Sequence, residues 1–239
     1  MIFAGIAAEL SAPRAPLASG RLDAGARAGR IGAMAEKHDR LDAAYGLKTP
    51  EDSRRLYGDW AASYDAEFAS ATGYGLPGAV AAAFAAAGGA GPVLDLGAGT
   101  GLVGERLAGL GVAPVDGTDI SPEMLAVAEG KGCYRRLFEA DALAGFDLAD
   151  ASYAGLVSAG TFTLGHLGPE VLPELIRIAR PGALFALSVN AAHFAAAGFG
   201  PALAALPVEG LRREDVPIYA GGTGEHGADR AFIVTFRKG

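Results

Sequence analysis

Asp95-Leu96-Gly97-Ala98-Gly99-Thr100-Gly101 stands where a short apolar run, Val93-Leu94-Asp95-Leu96, hands over to a helical pattern that begins at Leu102. The run is bounded by glycine on both sides and reads as a strand buried on two faces, as in a parallel sheet. Glycines without a Cβ permit the tight turn, and they let the free N–H groups at the start of the next helix approach a ligand closely. Two nucleotide-binding devices share such a turn. A dinucleotide fingerprint spaced G-x-G-x-x-G and starting at Gly97 would need glycine at 102, where the chain has Leu102. Gly99, Gly101 and Gly104 fit that spacing, but they begin too late after the strand and leave Asp95 unexplained. A carboxylate buried at a strand end is costly without a partner, so Asp95 favours a cationic or hydrogen-donating ligand group over a pyrophosphate.

Outward from this turn the chain alternates strand and helix. Downstream, a helix over 102–110 precedes a strand over 113–118. Ser121-Pro122-Glu123 then opens a helix that stops at Gly130. A strand over 153–158, a helix over 170–179 ended by Arg180-Pro181-Gly182, and a strand over 183–189 extend the series. Two last strand-like runs, 216–220 and 231–237, are joined by a glycine-rich loop as an antiparallel pair would be. Upstream, the Ala-rich stretch 76–94 is interrupted by Gly88, Gly89, Gly91 and Pro92, so it reads as helix, turn and strand rather than a membrane span. Before it, Thr49-Pro50-Glu51-Asp52 is a helix start with a cap, a proline and dipole-favoured acids. Leu56, Trp60, Tyr64 and Phe68 then recur every four residues along one face, with the helix ending near Thr72-Gly73. The folded domain is expected over 49–239. Residues 1–48 are expected to be an extension, disordered or upstream of the true start, with Met34 an alternative first residue.

The chain has 239 residues, 51% of them hydrophobic and 20% charged, which is ample for a buried core. Its formal net charge of −7 has the wrong sign for binding a phosphate backbone as the main task. A single cysteine, Cys133, closes no internal disulfide and makes no multi-cysteine metal site, so a reducing cytoplasm is the expected compartment. No grouping of His, Asp and Glu has metal-ligand spacing, and no metal is expected.

Two further acids fall at successive strand ends. Asp119 closes the second strand, where a carboxylate can accept both hydroxyls of a ribose, and Asp141 follows the third. Either alone could be a helix-capping residue. Residues 93–101 resemble the first motif of class I S-adenosylmethionine-dependent methyltransferases, and Asp119 and Asp141 match that group's ribose and adenine positions. The resemblance runs from about Thr49 to Asn190, through Trp60-Ala61-Ala62-Ser63-Tyr64-Asp65 and Arg180-Pro181-Gly182. It is closest to the ubiquinone-biosynthesis-like group and its Williams–Beuren-region methyltransferase-like relatives. It implies an α/β, Rossmann-like, doubly wound sheet of seven mostly parallel strands, the last antiparallel, with helices on both faces. It also implies S-adenosylmethionine as cofactor. Asp95 and Gly97 would face its methionine part beside Ala98 and Gly99, Asp119 and Ile120 its ribose, and Asp141 and Ala142 its adenine, with Tyr64 closing over it. One departure stands out. The aromatic-Asp pair that usually opens the fourth strand is Tyr153-Ala154 here, so the carboxylate expected there is absent or supplied by Asp150.

Methyl transfer from a sulfonium is an in-line displacement in which alignment does much of the work. For a hydroxyl acceptor, His166 lies after the fourth strand, on the ligand-binding edge, and is the candidate proton acceptor. The Asn/Asp-Pro-Pro-aromatic motif of base-methylating relatives is absent from Ser158-Ala159-Gly160-Thr161-Phe162, and with the net charge this favours a small, partly apolar acceptor over nucleic acid. Residues 162–169 and 190–213 are expected to shape its pocket. The competing readings are a nicotinamide-dependent oxidoreductase, which the glycine register disfavours, and a cofactor-binding domain without turnover.

Overall fold

In the computed structural model, residues 43–44, 46–47, 49–70, 72–220 and 228–239 are described, and all lie within one compact unit, Lys37–Gly239. Seven strands make one sheet: β1 (Val93–Leu96), β2 (Val115–Asp119), β3 (Arg136–Glu139), β4 (Tyr153–Phe162), β5 (Ala179–Asn190), β6 (Val208–Pro217) and β7 (Arg230–Lys238). Their order is β3-β2-β1-β4-β5-β7-β6. Strands β1 to β5 pair in parallel, and β7 runs antiparallel to both neighbours. This is the doubly wound, mostly parallel sheet with an antiparallel last strand that the sequence implied.

Alternation along β5 shows why both faces need helices. Phe185, Leu187 and Val189 enter one core layer with Phe162, Leu172 and Phe199, while Leu184 and Ala186 enter the other with Val80, Phe84 and Leu107. Helices α1 (Pro50–Trp60), α2 (Leu76–Ala86) and α3 (Leu102–Gly109) contribute to the second layer. On the other face lie α5 (Leu172–Ile178), α6 (Ala191–Ala196) and α7 (Phe199–Ala204). Between β2 and β3, α4 (Pro122–Gly130) starts as its sequence predicts, with Ser121 Oγ accepting the Met124 N–H at 3.2 Å and Pro122 in the first turn.

The structure departs from the sequence-based expectations at three places. The helix expected from 49 to 72 stops at Trp60, and after a turn a π-helical segment, Tyr64–Ser70, carries on. The aromatic row is kept across the break, with Trp60 5.0 Å from Tyr64 and 5.1 Å from Phe68, and Tyr57 joins it by stacking on Trp60 with centroids 6.3 Å apart. Arg180-Pro181-Gly182, expected to end a helix, lies inside β5, where the pairing jumps from Tyr153↔Ala179 to Gly155↔Leu184 and absorbs the irregularity. The sixth strand is Val208–Pro217 rather than 216–220. It is an exposed edge rich in charge, which hid its alternation. Most of the expected extension, 1–48, lies outside the described residues, and of those described there Ala44 is buried.

Candidate functional site

The glycine turn sits at the carboxyl edge of β1. Gly97, Gly99 and Gly101 all have positive φ (67°, 54° and 91°), a region L side chains rarely adopt. They differ in surroundings. A Cβ on Gly97 would collide with Thr161 Oγ1 of β4, whereas one on Gly99 would meet nothing within 4 Å. Gly97 is therefore required by the protein, and Gly99 leaves open space toward the cavity it lines. The turn is tied to β2: Ala98 donates its N–H to Thr118 O at 2.9 Å, and Gly99 donates to Asp119 Oδ2 at 2.8 Å.

Asp119 Oδ1 accepts the Ser121 N–H at 3.0 Å, so each carboxylate oxygen has one backbone donor and keeps lone-pair capacity for another. Burial raises its pKa against these hydrogen bonds. Beside it, Thr118 Oγ1 lines the cavity, buried and without a partner. Asp141 accepts the Leu143 N–H at 2.9 Å in a turn and lines the cavity with Ala142. Ile120 completes this side, its carbonyl accepting from Arg54 Nε of α1 at 3.3 Å.

Asp95 lies behind the wall rather than on it. It is 0% exposed, its Oδ2 accepts from Tyr134 OH at 2.7 Å, and its Oδ1 has no partner. Burial raises its pKa to about 7, opposed by the Tyr134 hydrogen bond. Sequence reasoning passed over Tyr134. Its hydroxyl also accepts the Gly104 N–H at 3.1 Å, and a Cβ on Gly104 or Gly117 would strike its ring. The late glycine that mimicked a dinucleotide register is thus there to admit a tyrosine beneath the turn. That glycine was the one signal available from sequence.

Across the cavity, Tyr64 lines the wall with Tyr57 and Tyr74. The next residue, Asp65, accepts from the Thr100 hydroxyl and from Lys131 Nζ at 2.6 Å, clasping the π-helical segment onto the glycine turn and α4. His166 lines the same cavity. Its Nδ1 lies 3.1 Å from Leu164 O, which only accepts, so the proton sits on Nδ1 and Nε2 accepts from Tyr57 OH at 2.9 Å. Burial lowers its pKa from the usual histidine value. His193, which the sequence left unplaced, donates from Nε2 to Leu167 O at 3.0 Å and tethers the loop that carries His166. His226 lies outside the described residues.

Two expectations need correction. Asp150 does not substitute for the missing acid at the site: it pairs with Arg177 Nη1 at 2.6 Å, its side chain is 78% exposed, and it does not line the cavity. Of the stretches expected to shape the acceptor pocket, 162–169 does reach the cavities through Gly165, His166 and Leu167. From 190–213 only Asn190 does so among the described residues, because α6, α7 and β6 lie elsewhere. Also among the described residues, no three His, Cys, Asp or Glu side chains could hold a metal ion, and no helix is long and apolar enough to cross a membrane.

The cavity has a volume of about 220 Å³. It joins an open glycine backbone, a carboxylate with spare acceptor capacity, an unpartnered hydroxyl and an aromatic wall, and these fit an adenosine with its attached chain. Residues 93–182 match a family described as a methyltransferase domain. The chain is 28% identical over 171 residues to human methyltransferase-like protein 27, covering 66% of this chain and 66% of that relative's length. Similar solved folds include 1,6-didemethyltoxoflavin-N1-methyltransferase of Burkholderia thailandensis, bound to 1,6-didemethyltoxoflavin and S-adenosylhomocysteine. There the TM-score is 0.57 at 20% identity, over 80% of this chain and 91% of that one. A putative S-adenosylmethionine-dependent methyltransferase of Methanococcus maripaludis aligns with TM-score 0.56 at 14% identity, over 77% and 93%. The match over residues 93–182 and the shared fold show a methyltransferase domain on a Rossmann-like sheet, and the cavity's lining fits S-adenosylmethionine.

Proposed function

We propose that the chain transfers the methyl group of S-adenosylmethionine to a small, partly apolar acceptor, with His166 receiving the acceptor's proton. What carries the reading is that the cavity lined by Gly97 and Asp119 is also lined by His166, so a cofactor seat and a proton acceptor share one chamber. The cofactor, when bound, supplies an activated methyl group on a sulfonium that leaves as a neutral thioether.

The remaining chemistry belongs to the chain. Asp119 would accept the ribose hydroxyls through the lone pairs its backbone donors leave, and Asp141 with Ala142 would border the adenine. Ala98, Gly99 and Ile120 would shape the seat between them. Tyr64 would exclude water from one side, and Asp95 would act from behind by holding the turn through Tyr134. His166, with Nδ1–H fixed on Leu164 O, presents Nε2 as the acceptor atom, and burial keeps the ring neutral to lower pH than a free imidazole. Net charge −7 supports a small acceptor over nucleic acid.

Titration calorimetry of the full chain with S-adenosylhomocysteine, NAD and NADP tests the cofactor half. Micromolar binding of S-adenosylhomocysteine alone is expected, and selective binding of a nicotinamide dinucleotide would overturn it. Methyl transfer from labelled cofactor separates an enzyme from a binding domain without turnover. The acceptor half predicts activity that rises with pH through a histidine-like value below the ordinary one and then stays flat; a profile without that step would remove His166 from its role.

A further inference from the structure

Tyr57, Tyr64, Tyr74, Gly160 and His166 line not only the large cavity but also a second one of about 50 Å³ next to it. This second chamber is walled by aromatic rings. Phe68 stands 5.4 Å from Tyr74 and 6.0 Å from Tyr219, and Tyr64 packs against Phe68 at 5.1 Å. Its polar side chains are Ser188, Asn190, Thr163, His166 and the tyrosines Tyr57, Tyr64, Tyr74 and Tyr219, and among the described residues no carboxylate, ammonium or guanidinium lines it. At the junction, β4 shifts register between Ser158 and Phe162, and Gly160 takes φ 84° with its N–H donated to Ser188 Oγ at 2.9 Å. A Cβ there would collide with Tyr74 OH, so the bulge brings the end of β4 and the aromatic wall together where the chambers meet.

We infer that the second chamber and its junction with the large cavity together form the acceptor site, that they take an uncharged planar aromatic ring bearing a hydroxyl, and that Tyr57 relays the proton of that hydroxyl to His166. The inference rests on the methyltransferase reading above and adds to it the class of acceptor and a further residue. Three arguments select this class. A charged group would be desolvated in the chamber without an ionic partner. An alkylammonium could lie against ring faces, but as the cation it has no lone pair to offer a methyl group, and among the described residues no carboxylate lines the chamber to pair with its charge. Phenolic hydroxyls ionise near about 10, as tyrosine does, against about 16 for water, so an imidazole base is far better matched to a phenol than to an alkyl hydroxyl.

The Tyr57 hydroxyl lies 2.9 Å from His166 Nε2, the one ring nitrogen with a lone pair. In the step, the acceptor O–H bond breaks and its proton goes to the Tyr57 oxygen, while the Tyr57 proton passes to Nε2. The acceptor oxygen's electron pair forms the new bond to the methyl carbon, and the carbon–sulfur pair stays with sulfur. The products are an aryl methyl ether, S-adenosylhomocysteine and an imidazolium on His166, which returns its proton to solvent. Tyr57 and His193 are the titratable groups that act on His166.

The test uses the full chain in two stages. First, protein loaded with S-adenosylhomocysteine is titrated with phenol, cyclohexanol and benzylammonium. Phenol should bind about tenfold more tightly than either of the others. Equal or tighter binding of cyclohexanol or benzylammonium, or no binding of phenol to protein that does take S-adenosylhomocysteine, overturns the inference while leaving the cofactor reading intact. Failure of S-adenosylhomocysteine itself to bind sinks the cofactor reading instead. Second, phenol methylation is followed in Tyr57→Phe, which keeps the ring. A kcat about 100-fold lower with a nearly unchanged KM and a displaced pH profile is expected. Native kcat and pH profile in that variant would refute the relay.

Discussion

The two walls of the large cavity are built by opposite means. On the sheet side, the wall is backbone: the left-handed glycines Gly97 and Gly99, N–H groups donated to Asp119, and a carboxylate and a tyrosine packed beneath. On the other side it is side chain: rings from α1, the π-helical segment and the turn after it, with His166 from the loop after β4. The first wall is local in sequence and unforgiving, because a conformation open only to glycine has no substitute. The second is assembled from distant segments, and what it needs is ring area in the right place.

Substitutions in the glycine turn should break the first wall most severely. Gly97→Ala places a Cβ against Thr161 Oγ1 at φ 67°. It should lower stability by about 3 kcal/mol, roughly 10 °C in thermal unfolding, and abolish S-adenosylhomocysteine binding. Gly99→Ala sharpens the contrast, because its Cβ meets open space. It should cost about 1 kcal/mol of stability yet weaken S-adenosylhomocysteine by more than about tenfold in calorimetry. Similar stability losses in the two variants would mean that neither glycine is kept for a ligand.

Next in size is Asp119→Ala, which removes the partner of the Gly99 and Ser121 N–H groups and the proposed ribose acceptor. S-adenosylhomocysteine affinity should fall by about 1–3 kcal/mol in titration calorimetry. Unchanged affinity in a folded variant would sink that role.

Beneath the turn, Asp95 carries a pH signature. Burial holds its pKa at about 7, whereas an unfolded chain loses the same proton near about 4. The stabilising effect of the proton that only the folded state retains is complete below about pH 4 and is lost as pH rises toward about 7. Asp95→Asn should remove this fall, so its Tm changes less than that of the native chain between about pH 5 and about pH 8. Tyr134→Phe strips a hydrogen bond that lowers the Asp95 pKa, and should carry the fall to higher pH while costing about 1–2 kcal/mol. A native pH profile in both variants would mean that Asp95 is ionised throughout.

The aromatic wall should prove more tolerant. Tyr64→Phe keeps its ring area and should leave S-adenosylhomocysteine affinity within about threefold, whereas Tyr64→Ala should lose about 1 kcal/mol. Equal losses would assign the role to the hydroxyl. The smallest effect is expected at Asp150, whose pairing with Arg177 is at the surface. Asp150→Ala should change stability by less than about 1 kcal/mol and cofactor affinity not at all.

Much of this protein was written locally. Residues 93–101 determined the strand and the turn, because glycine conformations are properties of neighbouring residues. Ser121 and Pro122 likewise set the start of α4 from sequence alone. What only the tertiary structure decided is where distant groups meet. Tyr57 faces His166 across 109 positions, Tyr134 reaches Asp95 across 39, and Asp65 clasps Thr100 across 35. Spacing in the chain says nothing about such pairs. They are fixed by the packing of α1 against α4 and by the bulge at Gly160. Each of these depends on packing that no local pattern encodes.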